Sequence, residues 1–91
     1  MDFSRSEALH SEASEVLVGG VSSGFRKNIT PLQYFERADG PCYYDVDGND
    51  FVEYTLAWGP LIVGSNHPEI NAAVRAQLET SYTLGAQHKL E

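Results

Sequence analysis

The stretch "ERADGPCYYDVDGNDFVEY", Glu36–Tyr54, decides the fold. Two Asp-Gly pairs, Asp39-Gly40 and Asp47-Gly48, interrupt a run rich in aromatic and β-branched residues. Asp-Gly accepts the positive φ that tight hairpin turns demand, so each pair marks a reversal between strands. The spacing predicts a three-stranded antiparallel meander, with strands at Leu32–Arg37, Cys42–Asp45 and Phe51–Tyr54. Within it, Asp45-x-Asp47-x-Asn49 has the opening of a calcium loop. Asp50 stands where that loop needs Gly, however, and Leu56 where it closes with Glu, so these residues are read as a turn.

On the N-terminal side, Ser4–Leu17 reads as a helix. Ser4 and Glu7 have the spacing of a capping box, and Leu9, Ala13, Val16 and Leu17 make one narrow apolar stripe. Gly19-Gly20 ends it. One narrow stripe cannot sustain an isolated helix, so this one is expected to dock. The segment Gly19–Thr30 that follows is Gly- and Ser-rich, then basic. It fails as a phosphate loop, because Phe25-Arg26 occupy the places of the required Lys and Ser/Thr. It reads either as a connector or as a loop that brings Ser23 and Arg26 to a carboxylate. The planar guanidinium of Arg suits the second role, since it can make two parallel charge-assisted hydrogen bonds.

On the C-terminal side, Trp58 is the only Trp and sits beside Gly59-Pro60. Pro68 suits the first position of a second helix, capped by Ser65, Asn66 or His67, with Ile70, Ala73, Val74 and Leu78 on one face. Thr80-Ser81 and Gly85 mark its end. His67 has no partner at metal-ligand spacing and reads as a structural or capping residue.

The chain has 91 residues and a formal net charge of −7, which argues against nucleic acid or an anionic membrane as partner. Its single Cys42 excludes an internal disulfide and a thiolate metal cluster. The polar, acidic start lacks a signal-peptide pattern, and no apolar run is long enough to span a bilayer; a cytoplasmic location is expected. No nucleophile, metal or redox motif appears, so spacing alone leaves the function open.

A resemblance narrows it. "GGVSSGFR" (19–26), the meander stretch, "AWGPLIVGSNHPEI" (57–70) and "GAQHKLE" (85–91) occur in one order at close spacing. Together they resemble the N-terminal portion of class III pyridoxal-phosphate-dependent aminotransferases, most closely the glutamate-1-semialdehyde aminomutase-like group. The resemblance implies an α/β, fold-type I enzyme, in which residues 1–91 form an N-terminal segment. Helix, loop, meander and helix would belong to the small domain, with most of the cofactor-binding large domain elsewhere. It implies a homodimer acting on a small amino acid and an oxo compound with pyridoxal 5'-phosphate.

By the same resemblance, Ser23 and Arg26 would hold the substrate carboxylate. Trp58 would wall the pocket, with Gly59-Pro60 turning the chain so that the ring faces it. No catalytic, cofactor-binding or metal-binding residue is assigned, because neither Lys27 nor Lys89 falls in a motif for the Schiff-base lysine. The segment alone is therefore expected to be a fragment, inactive and without covalently bound cofactor. Ser22, Gly24, Ala57 and Ser65 depart from the aminomutase pattern, which makes an aminotransferase of unspecified donor the first reading. The alternatives are the aminomutase of tetrapyrrole biosynthesis and a non-catalytic, stand-alone binding module.

Overall fold

Both reversals occur, the second at Asp47-Gly48 and the first at Gly40-Pro41, one residue late, since Asp39 still pairs with Cys42. In the computed structural model, which describes residues 1–90, β1 (Phe35–Asp39), β2 (Cys42–Asp45) and β3 (Asp50–Val52) form one antiparallel sheet in the order β1-β2-β3. Asp39 pairs with Cys42 across the first turn, and Tyr44 with Asp50 across the second. The middle strand lies where the sequence puts it; its neighbours do not. β1 begins at Phe35, because the ladder is set by the pairing of Phe35 with Asp45 and bulges between Phe35 and Arg37. Residues 32–34 stay irregular, although the Tyr34 carbonyl still accepts the Val46 N–H at 2.8 Å. β3 ends at Val52, two residues early; the Glu53 N–H still donates to the Pro41 carbonyl at 2.8 Å, and the chain bends at Thr55.

Side chains sort by face. Phe35, Tyr43 and Phe51 pack edge-on, with Phe35 centroids 5.3 and 5.6 Å from the other two. On the opposite face the Arg37 guanidinium lies 3.4 Å above the Tyr44 ring.

α1 (Ser4–Val16) is capped from a distance rather than by its own sequence. Phe3 is the N-cap residue and makes no side-chain cap bond, so the Ser4–Glu7 capping box does not form. The first-turn N–H groups go to other acceptors. Ser4 donates to Asp2 Oδ1 at 3.0 Å, while Arg5 and Ser6 donate to the Asp47 carboxylate at 2.6 and 2.9 Å. The Ser6 hydroxyl adds a bond of 2.6 Å to the same carboxylate, and Ser6 is fully buried. An acceptor on the β2–β3 turn thus ties the helix to the sheet. Of the predicted stripe, Ala13 and Leu17 face the loop, whereas Val16 is 81% exposed.

α2 (Pro68–Leu78) starts with Pro68 in the first turn, as the sequence requires, and His67 is its N-cap residue. The His67 side chain makes no cap hydrogen bond. The link from sheet to α2 is backbone pairing: Gly40 and Ser65 exchange bonds of 3.0 and 2.8 Å. Gly64 makes this approach possible, since a Cβ there would lie 2.9 Å from the Gly40 carbonyl oxygen and its φ is +81°.

Among the described residues no apolar side chain is buried. The accessible surface is 7312 Å², against roughly 5,200 Å² for a compact monomer of this mass. The radius of gyration is 16.5 Å, where a compact chain of this length would have roughly 12 Å. Val52, Ile70, Val74 and Leu78 are each about half exposed. The architecture is an α/β arrangement whose apolar faces are not closed by the described residues.

Candidate functional site

The loop after α1 is not a slack connector. It contains two 3₁₀ turns, Val18–Gly20 and Gly24–Asn28. Gly20 is buried against α1, and its φ of +68° with His10 and Ser14 atoms within 3 Å of a would-be Cβ leaves room for Gly alone. Ser23 is extended and caps the second turn, where its carbonyl accepts the Arg26 N–H at 3.0 Å. Arg26 Nη1 donates to Ser22 Oγ at 2.8 Å. No carboxylate pairs with Arg26 among the described residues, so the rest of its donor fork is open.

Trp58 reaches this loop by an uncommon route. Leu56, Ala57 and Trp58 have φ of 51°, 48° and 68°, three consecutive non-Gly residues in the left-handed region. Each such residue costs roughly 1–2 kcal/mol, and left-handed residues ordinarily occur singly. The turn is closed by its backbone: Trp58 N–H donates to the Thr55 carbonyl at 2.9 Å. Gly59 and Leu61 donate to the Leu56 carbonyl at 2.9 and 3.1 Å. The turn thus begins three residues before Gly59-Pro60, and Gly59, expected to make it, continues the left-handed run at φ +117°.

The strained turn holds Trp58 outward, 75% exposed, with its ring edge-to-face on Phe25 at 5.0 Å and 87°. Ser23, Phe25, Arg26 and Trp58 line one shallow concavity of about 290 Å³. The structure thus brings together all three residues singled out from the sequence, from two segments far apart in the chain. Sequence reading missed two of their neighbours. Phe25, an aromatic beside Arg26 in an otherwise small-residue loop, was a readable signal. Ser22, which orients the guanidinium, was not, since it differs from Ser23 only in position.

The concavity offers a cation, a hydroxyl and two aromatic surfaces. Such a set suits a small ligand with a carboxylate at one end and an apolar or flat body. Comparison with known proteins decides the family. Residues 25–89 match the family Aminotransferase class-III. The chain belongs to the class-III aminotransferases. This aminotransferase segment is 44% identical over 87 residues to a glutamate-1-semialdehyde 2,1-aminomutase of Hyperthermus butylicus, covering 94% of the chain and 20% of the relative. It is 43% identical over 93 residues to the same-named protein of Heliobacterium modesticaldum, covering 98% and 21%. A solved transaminase with PLP bound superposes with a TM-score of 0.86 at 28% identity, over 99% of this chain and 21% of that one. The aminotransferase segment spans about a fifth of the length of the curated relatives it matches.

Pyridoxal phosphate is the cofactor of this class. The residues lining this concavity do not fit its covalent attachment. Lys27, next to Arg26, lies along Gly19, with Cδ 3.6 Å from where a Cβ would stand, and is absent from the lining of the concavity. The one cation that does line it, Arg26, cannot form a Schiff base. No group of three or more His, Cys, Asp or Glu is arranged to hold a metal among the described residues. No helix there is long and apolar enough to cross a membrane.

Proposed function

We propose that this chain is the N-terminal segment of a class-III aminotransferase and supplies the substrate-carboxylate side of its pocket. The observation that carries the reading is the convergence of Ser23, Arg26 and Trp58 on one concavity, with the Arg26 fork unpaired by any carboxylate among the described residues. Arg26 binds the carboxylate of the amino acid, Ser23 adds a hydroxyl donor, and Trp58 with Phe25 excludes water and orients the substrate body. The cofactor and its lysine are held by other parts of the protein. The segment alone is inactive; its exposed apolar faces are covered in the full-length enzyme, a cytoplasmic homodimer.

The reaction is transfer of an amino group from an amino acid to a separate oxo compound. A second reading, the glutamate-1-semialdehyde 2,1-aminomutase reaction, is favoured by the names of the 43–44% identical relatives. Product formation by the full-length, cofactor-loaded protein separates the two. Turnover of an amino acid only when an oxo acceptor is added supports the transaminase. Conversion of glutamate 1-semialdehyde with no acceptor added supports the aminomutase. No turnover under either condition would overturn both.

A further inference from the structure

We propose that Glu53 is a positioning residue that holds the left-handed Leu56–Trp58 turn and thereby aims Trp58 at the Ser23–Arg26 loop. The inference rests on Trp58 being a wall of the substrate pocket.

Three successive non-Gly left-handed residues persist only where the surroundings over-determine them. Part of that constraint is the turn's own backbone bonding, which starts from the Thr55 carbonyl. The turn is therefore only as fixed as Thr55. Glu53 Oε1 accepts both the backbone N–H and the hydroxyl of Thr55. Glu53 is itself anchored: its N–H donates to the Pro41 carbonyl at 2.8 Å, at the edge of the β1–β2 turn. It also lines, with Leu56 and Leu61, the concavity behind the turn. The order of the sheet thus reaches the strained backbone through one carboxylate.

The electrostatics agree. The Thr55 hydroxyl bond, foremost, stabilises ionised Glu53; Tyr43 and the N–H groups of Thr55 and Leu56 add to it. Together they outweigh partial desolvation and hold its pKa below the usual range. Tyr43 moves the opposite way, pushed up by burial and then by the neighbouring Glu53, with Ser65 opposing. Glu53 is therefore a charged acceptor at neutral pH, with charge-assisted bonds to the start of the turn.

The test is a double-mutant cycle in the full-length, cofactor-loaded enzyme, read as steady-state kinetics with a turned-over amino acid. Glu53→Ala should raise KM about threefold with little change in kcat, less than the roughly fivefold loss expected of Trp58→Ala, since the aromatic contact is loosened and not deleted. In the Trp58→Ala background the same change should add less than about twofold, because the ring it positions is gone. Glu53→Gln, which keeps an oxygen acceptor for Thr55, should recover most of the loss. If Glu53→Ala does not fold, Thr55→Val replaces it in the cycle. It should raise KM less, with the same failure to add to Trp58→Ala. Unchanged KM in both variants, or effects that multiply with that of Trp58→Ala, would overturn the positioning role. Wild-type kinetics in Trp58→Ala itself would instead overturn the pocket reading, and the inference with it.

Discussion

Two irregular stretches of this chain solve opposite problems. The turn Asp45–Asn49 is saturated with hydrogen bonds. Asp45, fully buried, accepts the Asp47 and Asn49 N–H groups at 3.1 and 2.7 Å and the Asn49 amide at 2.8 Å. Asp47 caps α1, and Asn49 Nδ2 donates to the Asp2 carbonyl at 2.6 Å. Carboxylates that could have served a metal are spent on backbone N–H groups. The turn Leu56–Trp58 is strained, and its largest side chain is left mostly exposed beside a guanidinium that no described carboxylate pairs. The first stretch uses polar chemistry to hold the fold together. The second, on the function proposed above, uses backbone strain to present groups to a substrate.

If that division is right, variants in the two stretches should fail differently in the full-length enzyme. The largest effect is expected from Asp45→Ala, which strands buried N–H donors and should destabilise by about 3 kcal/mol, with kcat/KM per folded molecule unchanged. Thermal melting beside active-site-normalised kinetics checks this; intact stability with impaired turnover would erase the distinction. Gly64→Ala should follow, at about 2 kcal/mol, because the new Cβ meets the Gly40 carbonyl and the φ is left-handed. The loss should appear as a lower melting temperature.

Trp58→Ala belongs on the other side of the comparison. It should lower kcat/KM about fivefold, close to 1 kcal/mol, with almost no change in melting, since the ring buries little within this segment. A falling melting temperature with unchanged kinetics would make Trp58 a packing residue.

The smallest effect is a pH dependence. Partial desolvation opposes ionisation of Asp47. The Ser6 hydroxyl, the Arg5 and Ser6 N–H groups and the Arg5 charge outweigh it, and its pKa lies below the ordinary value. A carboxyl with a lowered pKa in the folded state stabilises fully above its unfolded value, about 4, and loses that contribution as pH falls through the lower folded value. Amide exchange in the first turn of α1 should therefore speed up as the pH drops below about 4, relative to α2. Asp47→Asn should start with faster exchange and show no such step.

The sequence made much of this legible where local chemistry decides. Asp-Gly pairs marked both meander turns, the first one residue early, and the central strand, and Pro68 fixed the start of α2. Ser23 and Arg26 stand out by residue type in their loop and Trp58 through family likeness, while their proximity is a property of the fold. Other features depend on contacts that no local pattern encodes. Asp47 replaces a capping box from 41 residues away. The bulge opposite Asp45 sets where β1 begins. The left-handed turn is least legible of all, because Leu, Ala and Trp are residues that avoid that conformation, and only the hydrogen bonds around them make it tenable.

The central claim is that Arg26 reads a substrate carboxylate. The direct measurement compares kcat/KM for an amino acid and for the matched amine lacking the carboxylate, in the wild type, Arg26→Ala and Arg26→Lys. A charge-assisted contact of this kind is worth roughly 1.5–3 kcal/mol, so Arg26→Ala should lose about ten- to a hundredfold with the amino acid. With the amine the loss should stay within about twofold, and Arg26→Lys should recover the amino-acid rate only in part, keeping the charge without the fork. Equal losses for amino acid and amine would contradict the claim and return the Gly19–Thr30 loop to the role of a connector.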